Sequence, residues 1–327
     1  MQSNSQKTSD GNALKLPVGR MILALVLLAL VLPVYLCDAE RHNLTNDVRQ
    51  EQYPNQSFIE LRHGTVHYRL DGPEPGPVVV LVHGFSAPAR IWFAVRDRLV
   101  ASGFRVLTFD LYGRGLSDRP TPGRITYNGA LYRDQLGELL TALKLNDPIR
   151  LVGLSMGGAV SVMFTAAHPD RVDRLVLLAP AGHAMEYSFT ARAARWPWIG
   201  DYIMRVMGDN RLLRNARNSL VSPDQHWPAV RDMYQEQMQY VGYKSAILST
   251  LRNFPDNIES DYEAVGRSGI PVLVIWGDRD TVVPIEHMQL IRHEIPDAQT
   301  EILHAAGHLA VVEAPDRVHA LILDFLY

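Results

Sequence analysis

Gly153-Leu154-Ser155-Met156-Gly157-Gly158 stands between a buried-type apolar run, 149–154, and an alanine- and valine-rich stretch of helical length, 156–167. A strand that turns directly into a helix around a serine needs small residues two positions to either side, because the two backbones must approach closely. The same tight turn lifts the hydroxyl out at the carboxyl edge of a sheet. The spacing predicts a nucleophile elbow with Ser155 at its apex; a glycine-rich turn with an inert serine is the plain alternative.

The chain on either side repeats this strand-then-helix rhythm. Short runs rich in valine, isoleucine and leucine at 78–83, 105–110, 149–154, 172–178, 272–276 and 300–304 read as buried strands, and 58–62 with 65–70 reads as an opening hairpin around His63-Gly64. Helices are expected at 90–99, 131–145, 156–167, 285–293 and 317–325. Alternation of this kind predicts an α/β fold: eight strands in a mostly parallel sheet with helices on both faces. One stretch interrupts it. Between Pro180 and Pro271 the pattern is helical and carries many arginines together with Met204, Met207, Met233, Met238, Trp196, Trp198 and Trp227, as expected of an inserted helical cap. Those side chains read either as the cap's own small core or as an apolar substrate wall. The expected organisation is a polar tail at 1–20, a hydrophobic segment at 21–37, a linker at 38–57, core at 58–184, cap at 185–262 and core again at 263–327.

The segment 21–37 (MILALVLLALVLPVYLC) has seventeen residues without a charge, roughly 25 Å as a helix at about 1.5 Å per residue. Lys7, Lys15 and Arg20 precede it, and Asp38 and Glu40 follow. This favours an uncleaved single-pass anchor over a cleaved signal, with the N-terminus cytoplasmic and the folded domain outside. In the cleaved case the domain is secreted or periplasmic. The balance of 32 basic and 35 acidic residues argues against nucleic acid as a partner, and 47% hydrophobic content argues against disorder. A single cysteine, Cys37, excludes an internal disulfide and any cysteine-rich metal site.

A serine hydroxyl needs a base within reach and an acid to orient that base. Gly277-Asp278-Arg279-Asp280 follows the strand 272–276, and His304-Ala305-Ala306-Gly307-His308 follows the last strand, giving the order Ser, Asp, His. His304 and His308 are four apart, but a zinc helix would need an intervening glutamate, and Gly307 stands there instead; no metal is expected. At this point 58–327 resembles the α/β-hydrolase superfamily. His83-Gly84-Phe85-Ser86 is similar to its HG oxyanion motif, and Asp110-Leu111-Tyr112-Gly113-Arg114-Gly115-Leu116-Ser117 resembles its D-x-x-G-x-G-x-S loop.

The resemblance implies Asp280 rather than Asp278 as the catalytic acid and His308 rather than His304 as the base. It also implies an oxyanion hole from the backbone N–H groups of Phe85 and Met156, with no cofactor. Asp110 is expected to order its loop. Ser155 argues against epoxide or halide relatives, which carry aspartate at this position, and leaves acyl transfer. The elbow, the acid loop and the hydrophobic segment together look similar to membrane-anchored bacterial lipases and monoacylglycerol lipases. The expected substrate is a small-molecule acyl ester, and the only other partner expected is the membrane. Two alternatives stay open: a carbon–carbon bond hydrolase, for which Arg192 and Arg195 could face an acidic substrate, and a non-catalytic binding protein on the same fold.

Overall fold

The computed structural model describes residues 18–185 and 189–327. Among them, eight strands form one sheet: β1 (Ser57–Leu61), β2 (Gly64–Asp71), β3 (Val78–Val82), β4 (Arg105–Phe109), β5 (Ile149–Leu154), β6 (Val172–Leu178), β7 (Val272–Gly277) and β8 (Gln299–Leu303). Their order is β1-β2-β4-β3-β5-β6-β7-β8; the β1–β2 and β2–β4 pairs are antiparallel and the others parallel. This is the α/β-hydrolase fold. The expected hairpin is the antiparallel β1–β2 pair, turning at Arg62-His63 with Gly64 at φ +128°.

The helices are α1 (Val18–Cys37), α2 (Asn46–Gln52), α3 (Phe93–Ala101), α4 (Gly129–Ala142), α5 (Met156–Ala167), α6 (Phe189–Ala194), α7 (Ile199–Asn218), α8 (Pro223–Met238), α9 (Tyr243–Asn253), α10 (Glu259–Ser268), α11 (His287–Glu294), α12 (Ala310–Glu313) and α13 (Pro315–Leu326). The sheet separates two cores, as the pleat of a strand buried on both faces requires. Val80 and Val82 of β3 pack with α4, α5 and α10 on one side, while Val79 and Leu81 face α3 and α13 on the other. The cut that puts Ser155 at the end of β5 also puts Asp280 just past β7 and His308 past β8, all at the sheet's carboxyl edge.

Helices α6 to α9, inserted between β6 and β7, pack on one another around α7. The helix α10 behaves differently: it lies against α5 and buries Tyr262 and Val265 in the core of that face. Residues 38–57, expected as a linker, contain α2 and are tied to the body. Arg49 is buried and donates to Leu116 O at 3.1 Å. Arg41 and His42 donate backbone bonds to Gln239 O at 2.8 and 3.0 Å. Helix α1 is long and apolar enough to cross a membrane from Gly19 to Cys37, and its apolar side chains are exposed along its length.

Candidate active site

Ser155 links β5 to α5 with φ 57° and ψ −122°, a backbone conformation that costs a side-chain-bearing residue about 1 to 3 kcal/mol. The surrounding backbone holds it there: Ser155 N donates to Leu178 O at 2.9 Å, and Ser155 O accepts from Gly158 N at 2.9 Å and Ala181 N at 3.0 Å. The flanking glycines make the approach possible. A Cβ at Gly153 would lie 2.4 Å from Gly157 O, and one at Gly157 would lie 2.3 Å from Val82 O.

Asp280 receives His308 Nδ1 at 2.8 Å on one carboxylate oxygen, while the other accepts the Val282 and Val283 amides at 2.7 and 3.0 Å. Both side chains are buried. A proton on Nδ1 shared with Asp280 leaves Nε2 as the lone-pair nitrogen of the neutral ring. The neighbouring pair is built differently. His304 meets Asp278 at 3.1 Å and is exposed to solvent, and the His304 hydrogen bond holds the Asp278 carboxyl below its ordinary range. The two histidines thus turn to separate carboxylates.

A cavity of about 550 Å³ brings Ser155 and His308 together with Gly84, Phe85, Leu154 and Leu309 on the core side and Leu212, Ala216 and Tyr234 from α7 and α8. Its described lining holds no Lys, Arg, Asp or Glu. Arg192 and Arg195 lie outside it, and Arg195 pairs with Asp256 at 3.2 Å. The cap's methionines and tryptophans also stand elsewhere. Met233 and Met238 are buried in the core, with Met204 and Trp227 packed against it, whereas Trp196, Trp198 and Met207 are exposed. The substrate-wall expectation for these side chains is therefore not met: leucine, alanine and tyrosine form the apolar wall.

Phe85 and Met156 border Ser155 from two sides, and neither backbone N–H has a protein acceptor among the described residues. The turn carrying Phe85 is pinned at every carbonyl. His83 Nδ1 donates to Gly84 O at 2.8 Å, while His83 Nε2 accepts Leu111 N at 2.9 Å. Gly84 O and Phe85 N–H belong to one planar peptide and point in opposite directions, so holding the oxygen aims the N–H. Burial pulls the His83 pKa down to about 4, against the raising influence of Asp110, which suits a neutral ring that must accept as well as donate.

Next along the turn, Phe85 O accepts Arg114 Nε at 2.8 Å, and Ser86 O accepts Gln237 Nε2 at 2.7 Å and Tyr243 OH at 2.9 Å. Ser86 Oγ meets Tyr234 OH at 3.0 Å. Gln237 also accepts Gly115 N at 2.8 Å, bridging the Gly113–Gly115 loop to the turn. These four residues were not singled out from the sequence. Arg114 stands inside a recognisable loop motif, but Tyr234, Gln237 and Tyr243 reach the turn only through the docking of α8 and α9.

Asp110 does not line the cavity. It accepts Ala89 N at 2.7 Å, Leu116 N at 2.9 Å and His67 Nδ1 at 2.7 Å. Burial works most strongly against its charge, yet His67, by charge and hydrogen bond, together with His83 and the Ala89 N–H, outweighs it and holds the carboxyl well below the ordinary range. Its role is to fix the loop 110–117, where a Cβ at Gly115 would strike the Asp110 carboxylate.

Comparison with known proteins agrees with this architecture. The family described as "alpha/beta hydrolase fold" matches residues 77–315. Lipase 1 of Psychrobacter immobilis is 27% identical over 269 residues, covering 80% of this chain and 82% of its own. Human monoacylglycerol lipase ABHD6 is 26% identical over 277 residues, covering 78% and 76%. Among solved structures, a thermophilic esterase from Thermogutta terrifontis superposes with a TM-score of 0.68 at 26% identity, covering 83% of this chain and 98% of the esterase. On the match of its family model across most of the sheet and its helices, the chain belongs to the α/β-hydrolase family.

Proposed function

We propose that this protein is a serine carboxylic-ester hydrolase that cleaves monoacylglycerols or other short-to-medium acyl esters through an acyl-enzyme. The observation that carries the reading is the cavity: Ser155, the Asp280-paired His308 and the Phe85 turn meet in a space whose described lining holds no Lys, Arg, Asp or Glu. An uncharged wall with leucine and alanine suits a neutral acyl chain and disfavours an acidic substrate, which would be desolvated without a cation. Relatives named lipase, monoacylglycerol lipase and carboxylesterase support the same reaction class.

Ser155 Oγ attacks the ester carbonyl carbon as His308 Nε2 takes its proton, and Asp280 stabilises the imidazolium that forms. The carbonyl oxygen becomes an oxyanion held by the Phe85 and Met156 N–H groups; one such donor is worth roughly 3 to 4 kcal/mol in the transition state. Collapse expels the alcohol, which takes the proton from His308 and leaves an acyl-serine. Water, deprotonated by the same histidine, then releases the carboxylic acid and restores Ser155. Helix α1 holds the enzyme as a single-pass anchor with the catalytic domain outside the cytoplasm, close to the bilayer where sparingly soluble esters collect.

Covalent labelling by a fluorophosphonate tests the reading at the nucleophile. The full chain is expected to be labelled at Ser155 and Ser155→Ala to be silent. A folded wild-type protein that stays unlabelled would instead support a non-catalytic role.

A further inference from the structure

The proposed chemistry leaves one large apolar surface unused. Phe189 on α6, Trp196 and Trp198 before α7, and Ile199, Tyr202 and Met207 on α7 are all exposed, Phe189 at 72% and Trp198 at 87%. At 3.6 residues per turn, positions 199, 202, 203, 206 and 207 share one face of α7, and every one is aliphatic, aromatic or methionine. The buried Gly208 and Leu212 lie on the opposite side. So many large apolar side chains gathered in water mark a contact surface rather than ordinary exposure.

We propose that this face of α6 and α7 docks on the same bilayer that α1 crosses, with its aromatic side chains at headgroup depth. The inference rests on reading α1 as a membrane segment. Its support is continuity. Helix α1 presents apolar side chains to solvent along its length and packs against α7. Its exit is clasped to the middle of α7: Ala39 N donates to Asp209 Oδ2 at 2.9 Å, and the buried Lys244 Nζ bridges Asp209 at 2.8 Å and Asp38. Trp198 precedes Asp209 by eleven residues, about 16 Å along a helix at about 1.5 Å per residue. An anchor that leaves the bilayer at Cys37 therefore holds the first half of α7 near the membrane surface.

The side-chain chemistry fits that depth. Tryptophan and tyrosine favour the interface, and the apolar half of α7 is followed by the exposed Arg214, a cation suited to lipid phosphates. A second copy of the chain could cover the same patch, but the apolar surface already adjoining α7 is the membrane segment. The arrangement bears on substrate access. Leu212, Asn215, Ala216 and Asn218 of the same helix line the Ser155 cavity, so the helix that seats on lipid with one side walls the cavity with another.

The test is tryptophan fluorescence of the full chain reconstituted in phosphatidylcholine vesicles whose acyl chains are brominated. Trp92 and Trp276 are buried in the fold and supply an unquenched background. Bromine-dependent quenching is expected in the wild type, to fall by more than half in Trp196→Phe/Trp198→Phe, and to persist in Trp227→Phe. Equal quenching in wild type and the double variant overturns the proposal, as does a chain that floats with the vesicles unquenched, the result expected if a second copy covers the patch. A chain that does not float overturns the anchor reading and this inference together.

Discussion

Asp280 and His308 are joined at 2.8 Å inside the fold, whereas Asp278 and His304, one short step away in each loop, pair at 3.1 Å with the histidine in solvent. Burial makes the first pair an orienting device, since a ring fixed by a buried carboxylate presents one tautomer to the cavity. Asp280→Asn is expected to lower kcat by about 10³- to 10⁴-fold, with the imidazole left in the wrong tautomer. Asp278→Asn is expected to leave kcat within about twofold, because surface pairs contribute little. Steady-state kinetics on a soluble ester separates the two.

Gln237 joins the Phe85 turn to the loop at Gly115 with one bond from each end of its amide. Gln237→Leu strands a buried amide N–H and weakens the hold on Ser86 O, an expected cost of about 1 to 3 kcal/mol. Urea denaturation measures it. In the same variant kcat should fall while KM changes little, because the loosened turn mispositions a donor used in the transition state.

Gly157 has Val82 O and His83 O at 2.3 and 2.4 Å from where a Cβ would stand. Both obstacles are backbone and cannot rotate away. Gly157→Ala is expected to lose about 1 to 3 kcal/mol of stability through overpacking. Because the helix it displaces carries Met156 N–H, activity should fall further than the folded fraction does, a comparison made by titrating active sites against circular dichroism.

His83 is neutral in the fold, with its pKa drawn from 6.5 to about 4 by burial. The unfolded chain takes up a proton near pH 6.5 that the native state refuses, so this contribution is complete above pH 6.5 and is lost as pH falls toward 4. The window is worth about 3 kcal/mol at roughly 1.4 kcal/mol per pKa unit. His83→Gln can donate to Gly84 O and accept from Leu111 N without titrating. Its denaturation free energy should be flatter than that of the wild type between pH 6.5 and 4.

What could be read from the sequence was local. The turn at Ser155 announces itself because only glycine tolerates the approach of β5, α5 and β3, and the loop of Asp280 follows a strand, β7, whose apolar run is unbroken; β8, before His308, is mixed and partly exposed, and was legible from its place after α11. The eight strands fall within a residue or two of expectation, the central ones because their apolar runs are continuous. The helix expected at 285–293 begins at His287 because Pro284, Ile285 and Glu286 form the preceding turn. Side-chain roles in the inserted helices were not legible, since their orientation is set by docking. Met233 and Met238 turn inward, Trp196 and Trp198 turn outward, and the hydrogen bonds that hold the Phe85 turn come from Tyr234, Gln237 and Tyr243, whose spacing carries no motif.

Ester hydrolysis at Ser155 is tested most directly with a p-nitrophenyl ester series from acetate to palmitate, turned over by the full chain and by Ser155→Ala. Turnover is expected in the wild type with an optimum at short-to-medium chain length, and loss of at least about 10³-fold in the variant, the residual belonging to binding and the oxyanion donors. Equal rates in the two proteins, or a folded wild type without turnover on any ester of the series, would contradict it.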